Sequence, residues 1–133
     1  MTTNTTPIFP LSPVIGIATL TSATAITSRA NIVGTNGLAA ITPASTNGKR
    51  VDSITVKAKG VSVASIVGIW LYDGTTSYMI DEIDVAAVTA STILDSFAVT
   101  RNYSNFTIPP TYRLFASETV QTDLNVFAFG GDY

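Results

Sequence analysis

Ile54-Thr55-Val56-Lys57-Ala58-Lys59-Gly60 begins the stretch that decides the fold, and Ser65-Ile66-Val67-Gly68-Ile69-Trp70-Leu71-Tyr72-Asp73-Gly74-Thr75-Thr76 completes it. In the first piece Ile54, Val56 and Ala58 alternate with Thr55, Lys57 and Lys59. A period of two, with one apolar and one charged face, marks a strand half buried in a sheet. Gly60 ends it. The second piece is apolar on both faces from Ser65 to Tyr72, as in a central strand covered on both sides. Asp73 to Thr76 reads as a hairpin loop, and Ser77 to Val85 returns as the partner strand.

The same texture extends in both directions. Upstream, Val14 to Leu20 is β-branched and uncharged, and Thr24 to Thr27 is strand-like. Asn31-Ile32-Val33 runs into the turn signal Gly34-Thr35-Asn36-Gly37. Leu38 to Thr42 is short and apolar, and Ala44 to Gly48 is a loop ending in the turn dipeptide Asn47-Gly48. Downstream, Val85 to Ser91 reads as a short helical turn or a loop. Ile93 to Arg101, Phe106 to Ile108, Tyr112 to Ala116 and Leu124 to Phe129 are strand candidates, and Pro109-Pro110 closes an edge. Short strands with frequent turns and no long helix predict an all-β fold. The expected architecture is an antiparallel β-sandwich, jelly-roll-like, of about eight strands, with residues 14–133 as one domain. No fixed-period repeat is visible.

Residues 1–13 read as an extended N-terminal arm. Pro7, Pro10 and Pro13 fix the backbone in a polyproline-like path, while Ile8, Phe9 and Leu11 lie among them. Such an arm docks either on a neighbouring subunit or on its own domain. Deleting it is expected to leave a folded domain that assembles more weakly.

Composition narrows the chemistry. The 133 residues include no Cys and no His, seven basic and nine acidic side chains, and 33 Ser and Thr. Disulfides, thiolate nucleophiles and imidazole bases are therefore excluded. A net charge of −2 offers no broad basic field for nucleic acid. The longest apolar run near the N-terminus, Val14 to Leu20, falls far short of a membrane span, and Met1 to Thr6 lacks the basic start of a secretory signal. No nucleotide-binding glycine motif occurs, and no cofactor is implied.

Charge is unevenly placed. Residues 1–28 carry none; 29–59 carry a net +4, 60–95 a net −5, and 96–133 a net −1. Either neighbouring strands pair opposite charges across a sheet, or oppositely charged patches meet between subunits.

Candidate catalytic groups are sparse. Lys57 and Lys59 face outward on an amphipathic strand, where a lysine stays solvated rather than activating a serine. Asp81, Glu82 and Asp84 form the densest acidic cluster, but calcium wants six to eight oxygens and no EF-hand loop surrounds them. A carboxylate pair for glycoside hydrolysis would need a cleft. The Asn-x-Ser/Thr triplets at Asn4, Asn102 and Asn105 occur at about the rate chance supplies. Trp70, Tyr72 and Tyr78 surround one hairpin; buried they are core, exposed they could stack on sugar rings.

Asn47-Gly48-Lys49-Arg50-Val51-Asp52-Ser53-Ile54-Thr55-Val56-Lys57-Ala58, followed by Ile69-Trp70-Leu71-Tyr72-Asp73-Gly74, carries a resemblance. Ile108-Pro109-Pro110-Thr111-Tyr112-Arg113-Leu114 and Asn125-Val126-Phe127-Ala128-Phe129-Gly130-Gly131-Asp132-Tyr133 complete it. Together, over roughly residues 31–133, these resemble small virion proteins of tailed bacteriophages, the capsid decoration or cement proteins. The resemblance implies a non-enzymatic structural protein made in the host cytoplasm and placed on the capsid surface of the virion. Its implied partners are other copies of itself, as a homotrimer, and the major capsid protein, with neither nucleic acid nor membrane. The candidate interface residues are Pro7, Ile8, Phe9 and Leu11 of the arm, Lys49 and Arg50 of the basic turn, and Asp132 and Tyr133 at the C-terminus. The alternative is a tail or fibre component that binds a receptor or glycan through loops 72–78 or 101–107. A small hydrolase ranks third.

Overall fold

A computed structural model describes residues 12–21, 25–43, 45–120 and 123–133. The alternation at Ile54, Val56 and Ala58 produces the long strand β4 (Lys49–Ala58), whose apolar side chains are buried while Lys57 faces out. Around it the described residues form β1 (Ser12–Leu20), β2 (Ile32–Val33), β3 (Ala39–Ala40), β5 (Ser65–Tyr72), β6 (Thr76–Val85), β7 (Ala98–Asn102), β8 (Thr107–Ile108), β9 (Arg113–Glu118) and β10 (Leu124–Asp132). They contain no helix.

These strands form two antiparallel sheets. One runs β1-β10-β4-β7, with β8 also on β4; the other runs β2-β6-β5-β9-β3. With β2, at the end of its sheet, and β8, off the main path of the other, set aside, the pairing of the remaining eight strands is nested. The first strand pairs with the last (β1 with β10), β3 with β9, β4 with β7, and β5 with its neighbour β6. This is a hairpin rolled on itself, the wrap of a jelly roll. The predicted β-sandwich is therefore the observed fold.

The core lies between the sheets. Leu20, Ile54, Val56, Leu124 and Val126 from the β1 sheet meet Val67, Ile69, Ile83 and Leu114 from the β5 sheet. Four consecutive residues of β5, Val67 to Trp70, are buried. Alternation turns Val67 and Ile69 to the core and Trp70 to the opposite face. There the indole Nε1 donates to Ser117 Oγ at 2.8 Å. Gly68 leaves the room: a Cβ there would stand 3.0 Å from Trp70 Nε1 and 2.8 Å from Met79 Cε.

Element boundaries depart from the sequence reading where pairing, not local texture, decides. β1 takes in Ser12 and Pro13, which the sequence assigns to the arm; they pair with Asp132 and Gly131. A proline is tolerated there because β1 is an edge strand. Correspondingly, β10 runs on through Gly130 and Gly131 to Asp132. A bulge at Phe129 and Gly130 fits the backbone against β4, for a Cβ at Gly130 would lie 1.9 Å from the Arg50 carbonyl oxygen. β7 begins at Ala98, later than the expected Ile93. Of the strand-like Thr24 to Thr27, Ala25 makes one parallel bridge, to Glu118. Pro7, Ile8, Phe9 and Leu11 lie outside the described residues.

Candidate interaction surface

The outward face of the β1 sheet can be built row by row from its register. Ile15 opposes Phe129, which opposes Ser53 and then Asn102. Ile17 opposes Phe127, then Thr55 and Thr100. Thr19 opposes Asn125, then Lys57 and Ala98. The first two rows thus have an apolar half on β1 and β10 and a hydroxyl-rich half on β4 and β7. Ile15 is 60% exposed, Ile17 59% and Phe129 37%, and the Phe127 and Phe129 rings stack with centroids 6.4 Å apart. A single exposed isoleucine is ordinary, whereas apolar side chains grouped on one sheet face make it a candidate interaction surface. Lys57 is the only charged side chain in these rows, and its Nζ donates to the Ser96 carbonyl at 3.3 Å. Thr55 and Thr100 bond hydroxyl to hydroxyl at 2.8 Å, and Thr19 donates to Asn125 Oδ1 at 3.0 Å. These cross-strand bonds hold the polar side chains flat along the sheet.

Sequence reasoning did not pick out Ile15, Ile17, Phe127 or Phe129. The signal was present as strict alternation of large and small residues from Ile15 to Ala18. It reads backwards, because the small residues face the core. A Cβ on Gly16 would stand 2.3 Å from the Ile41 carbonyl oxygen. The backbone just after β3, at Ile41, comes so close that only glycine fits, and the isoleucines are left facing out.

The C-terminal interface candidates do meet, at one corner of the same sheet. Lys49 is 3% exposed, and its Nζ donates to Asp132 Oδ1 at 2.5 Å. The Tyr133 amide donates to the Gly48 carbonyl at 3.1 Å. Arg50 Nε donates to Asp52 Oδ1 at 2.9 Å, nearer the surface. The basic turn and the C-terminus therefore bind each other. Lys49 is spent inside the domain, while Arg50, Asp132 and Tyr133 retain partial exposure.

The charge segregation has the same intramolecular outlet. Arg29 pairs with Glu82, Arg101 with Asp81, and Lys49 with Asp132. The Arg101–Asp81 pair joins the two sheets across the gap between β7 and β6. Asp81 lies opposite Ile69, on the core side of β6 at a bulge. It accepts from Tyr103 Oη at 2.6 Å, from Arg101 Nη1 at 3.3 Å and from the Glu82 amide at 2.8 Å. Burial first, and then the Asp81 carboxylate, raise the Tyr103 phenol well above the ordinary tyrosine range. Leu71, Ile80, Asp81, Arg101, Tyr103 and Phe106 flank an open groove of about 590 Å³ here.

Other candidate chemistry does not assemble among the described residues. Asp81, Glu82 and Asp84 do not converge, and no group of three or more acidic side chains could hold a metal ion. Trp70 is fully buried and cannot stack on a sugar; Tyr72 is half-buried and Tyr78 is exposed. No helix of the described residues is long and apolar enough to cross a membrane. No protein-family profile matches the chain, and no curated protein matches it significantly.

Proposed function

We propose that this chain is a structural virion protein, a non-enzymatic capsid decoration protein that binds the major capsid protein lattice and stabilises the shell. The observation that carries the reading is the outward face of the β1 sheet. Ile15, Ile17, Phe127 and Phe129 form an apolar strip beside a hydroxyl-rich half, with one charge across three rows. Such a face loses little on desolvation when covered. The resemblance of residues 31–133 to phage decoration proteins supplies the identity of the covering surface. Jelly rolls serve in viral coats and in lectins alike, so the fold is compatible with this reading without selecting it. The test is to image virions carrying labelled protein. Label over the whole shell, with a copy number on the scale of the shell subunits, is expected; label at the tail alone would overturn the reading.

One observation favours the tail or fibre reading, in which the chain binds a glycan. The groove beside Asp81 combines two aromatic rings, Tyr103 and Phe106, with a carboxylate and a guanidinium. Aromatic rings stack on sugar faces while charged groups bond hydroxyls. Glycan-array binding that disappears in Tyr103→Ala, with the fold retained, would move the function there.

A further inference from the structure

We propose that two copies of this chain pair through β1, edge to edge and antiparallel, so that two β1-β10-β4-β7 runs join as one continuous eight-stranded sheet. This goes beyond the decoration reading, because it holds for the free protein whatever shell it meets.

The first argument is the edge itself. Among the described residues β1 has β10 on one side and no strand on the other. It is nine residues long and pairs with β10 without a break; the bulge in this sheet lies between β10 and β4. An unprotected edge offers a row of free N–H and C=O groups to another strand. Edges are normally blunted by lysine, proline or a bulge. Between Ser12 and Leu20 there is no charge and no bulge, and the lone proline sits at the second residue.

The second argument selects a second copy as the occupant. A two-fold interface must be self-complementary, each residue meeting its own symmetry partner's position. About a dyad at Gly16, Ile15 faces Ile17 of the second copy and Val14 faces Ala18. Ser12 faces Leu20, and Pro13 faces Thr19. Val14-Ile15-Gly16-Ile17-Ala18 reads almost alike in both directions. No like charges meet, since residues 1–28 have none. Pro13 costs one ladder bond at each end, where the loss matters least. The gain lies on the outward face. Ile15 and Ile17 of both copies become neighbours, and the two Phe127–Phe129 strips flank them as one apolar band.

A nine-residue edge lies at the small end of specific interfaces, below the roughly 800 Å² a side of a standard one. Pairing is therefore expected to depend on concentration, and to give twice the chain mass rather than the threefold mass of the trimer that the resemblance implies.

Light scattering on the full chain over a concentration series gives the mass. Ile17→Lys puts a charge on the edge at an exposed position, so the fold is expected to survive by circular dichroism while the mass falls to one chain. The register is tested with thiols, for the chain has no cysteine of its own. Ile15→Cys mixed with Ile17→Cys is expected to give a disulfide-linked pair on oxidation, and either variant alone far less. A single-chain mass at every concentration, a threefold mass, or equal cross-linking by either variant alone would overturn the proposal. Because the mass is read without virions, failure here leaves the decoration reading to be judged by its own images.

Discussion

Gly16 shows how one residue without a side chain sets the chemistry of a face. The Ile41 carbonyl oxygen occupies the space that a Cβ would need, so the core side of β1 is built from Gly16, Ala18 and Leu20. The β-branched residues between them must then point outward. Gly16→Ala is expected to lose about 1–3 kcal/mol, the usual cost of overpacking, because backbone relaxes poorly. Gly60→Ala, where nothing lies within 4 Å, should be neutral or slightly stabilising, by up to about 1 kcal/mol. Urea midpoints for the two variants check this, and equal losses would contradict it. The presence of glycine at position 16 is legible in the sequence. The carbonyl that demands it is not, because Ile41 reaches the site only through the wrap of the sheets.

At the scale of elements, the β5–β6 hairpin is held by its loop as much as by its ladder. Asp73 Oδ1 accepts from the amides of Thr75 and Thr76, each at 2.8 Å, and Gly74 takes a positive φ of 99°. The Thr76 bond first, and then the Thr75 bond, hold the Asp73 carboxyl below its ordinary value of 3.8. A lowered value in the folded state means that the loop is favoured by the ionised form. That contribution is fully present above the ordinary aspartate range and is lost as pH falls through the lower folded value. Asp73 followed by NMR should therefore titrate below 3.8, with exchange of the Thr75 and Thr76 amides accelerating over the same window. A midpoint at or above the ordinary value would contradict the loop geometry. This hairpin was readable from Asp73-Gly74 alone, since its bonds are local. The two-residue strands β2 and β8 were less so, because their pairing depends on β6 and β4 being already in place.

For the whole molecule, much of the sparse positive charge is paired internally. Four ion pairs bind Arg29, Lys49, Arg50 and Arg101 to carboxylates within the chain, and the outward rows of the β1 sheet carry one charge, Lys57. The β1 edge through which copies pair carries no charge at all, so self-association should be nearly indifferent to salt. Raising salt from about 0.1 M to about 1 M shortens the screening length from about 10 Å to about 3 Å. Self-association measured by light scattering is expected to change by less than about tenfold across that range, as for a contact without close charge pairs. A loss of several orders of magnitude would place charged groups at the contact. The sequence by itself determined the all-β class, the half-buried strand at Ile54 to Ala58, the doubly covered strand at Ser65 to Tyr72 and the absence of charge on β1. Each follows from side-chain periodicity or composition, which are local. Only the tertiary structure decided that the nested pairing of first strand with last makes a jelly roll, that Lys49 is buried against Asp132, and that Ile15, Ile17, Phe127 and Phe129 share an open face. Those facts depend on which distant strands become neighbours, and a strand's own residues specify which side is apolar without specifying what covers it.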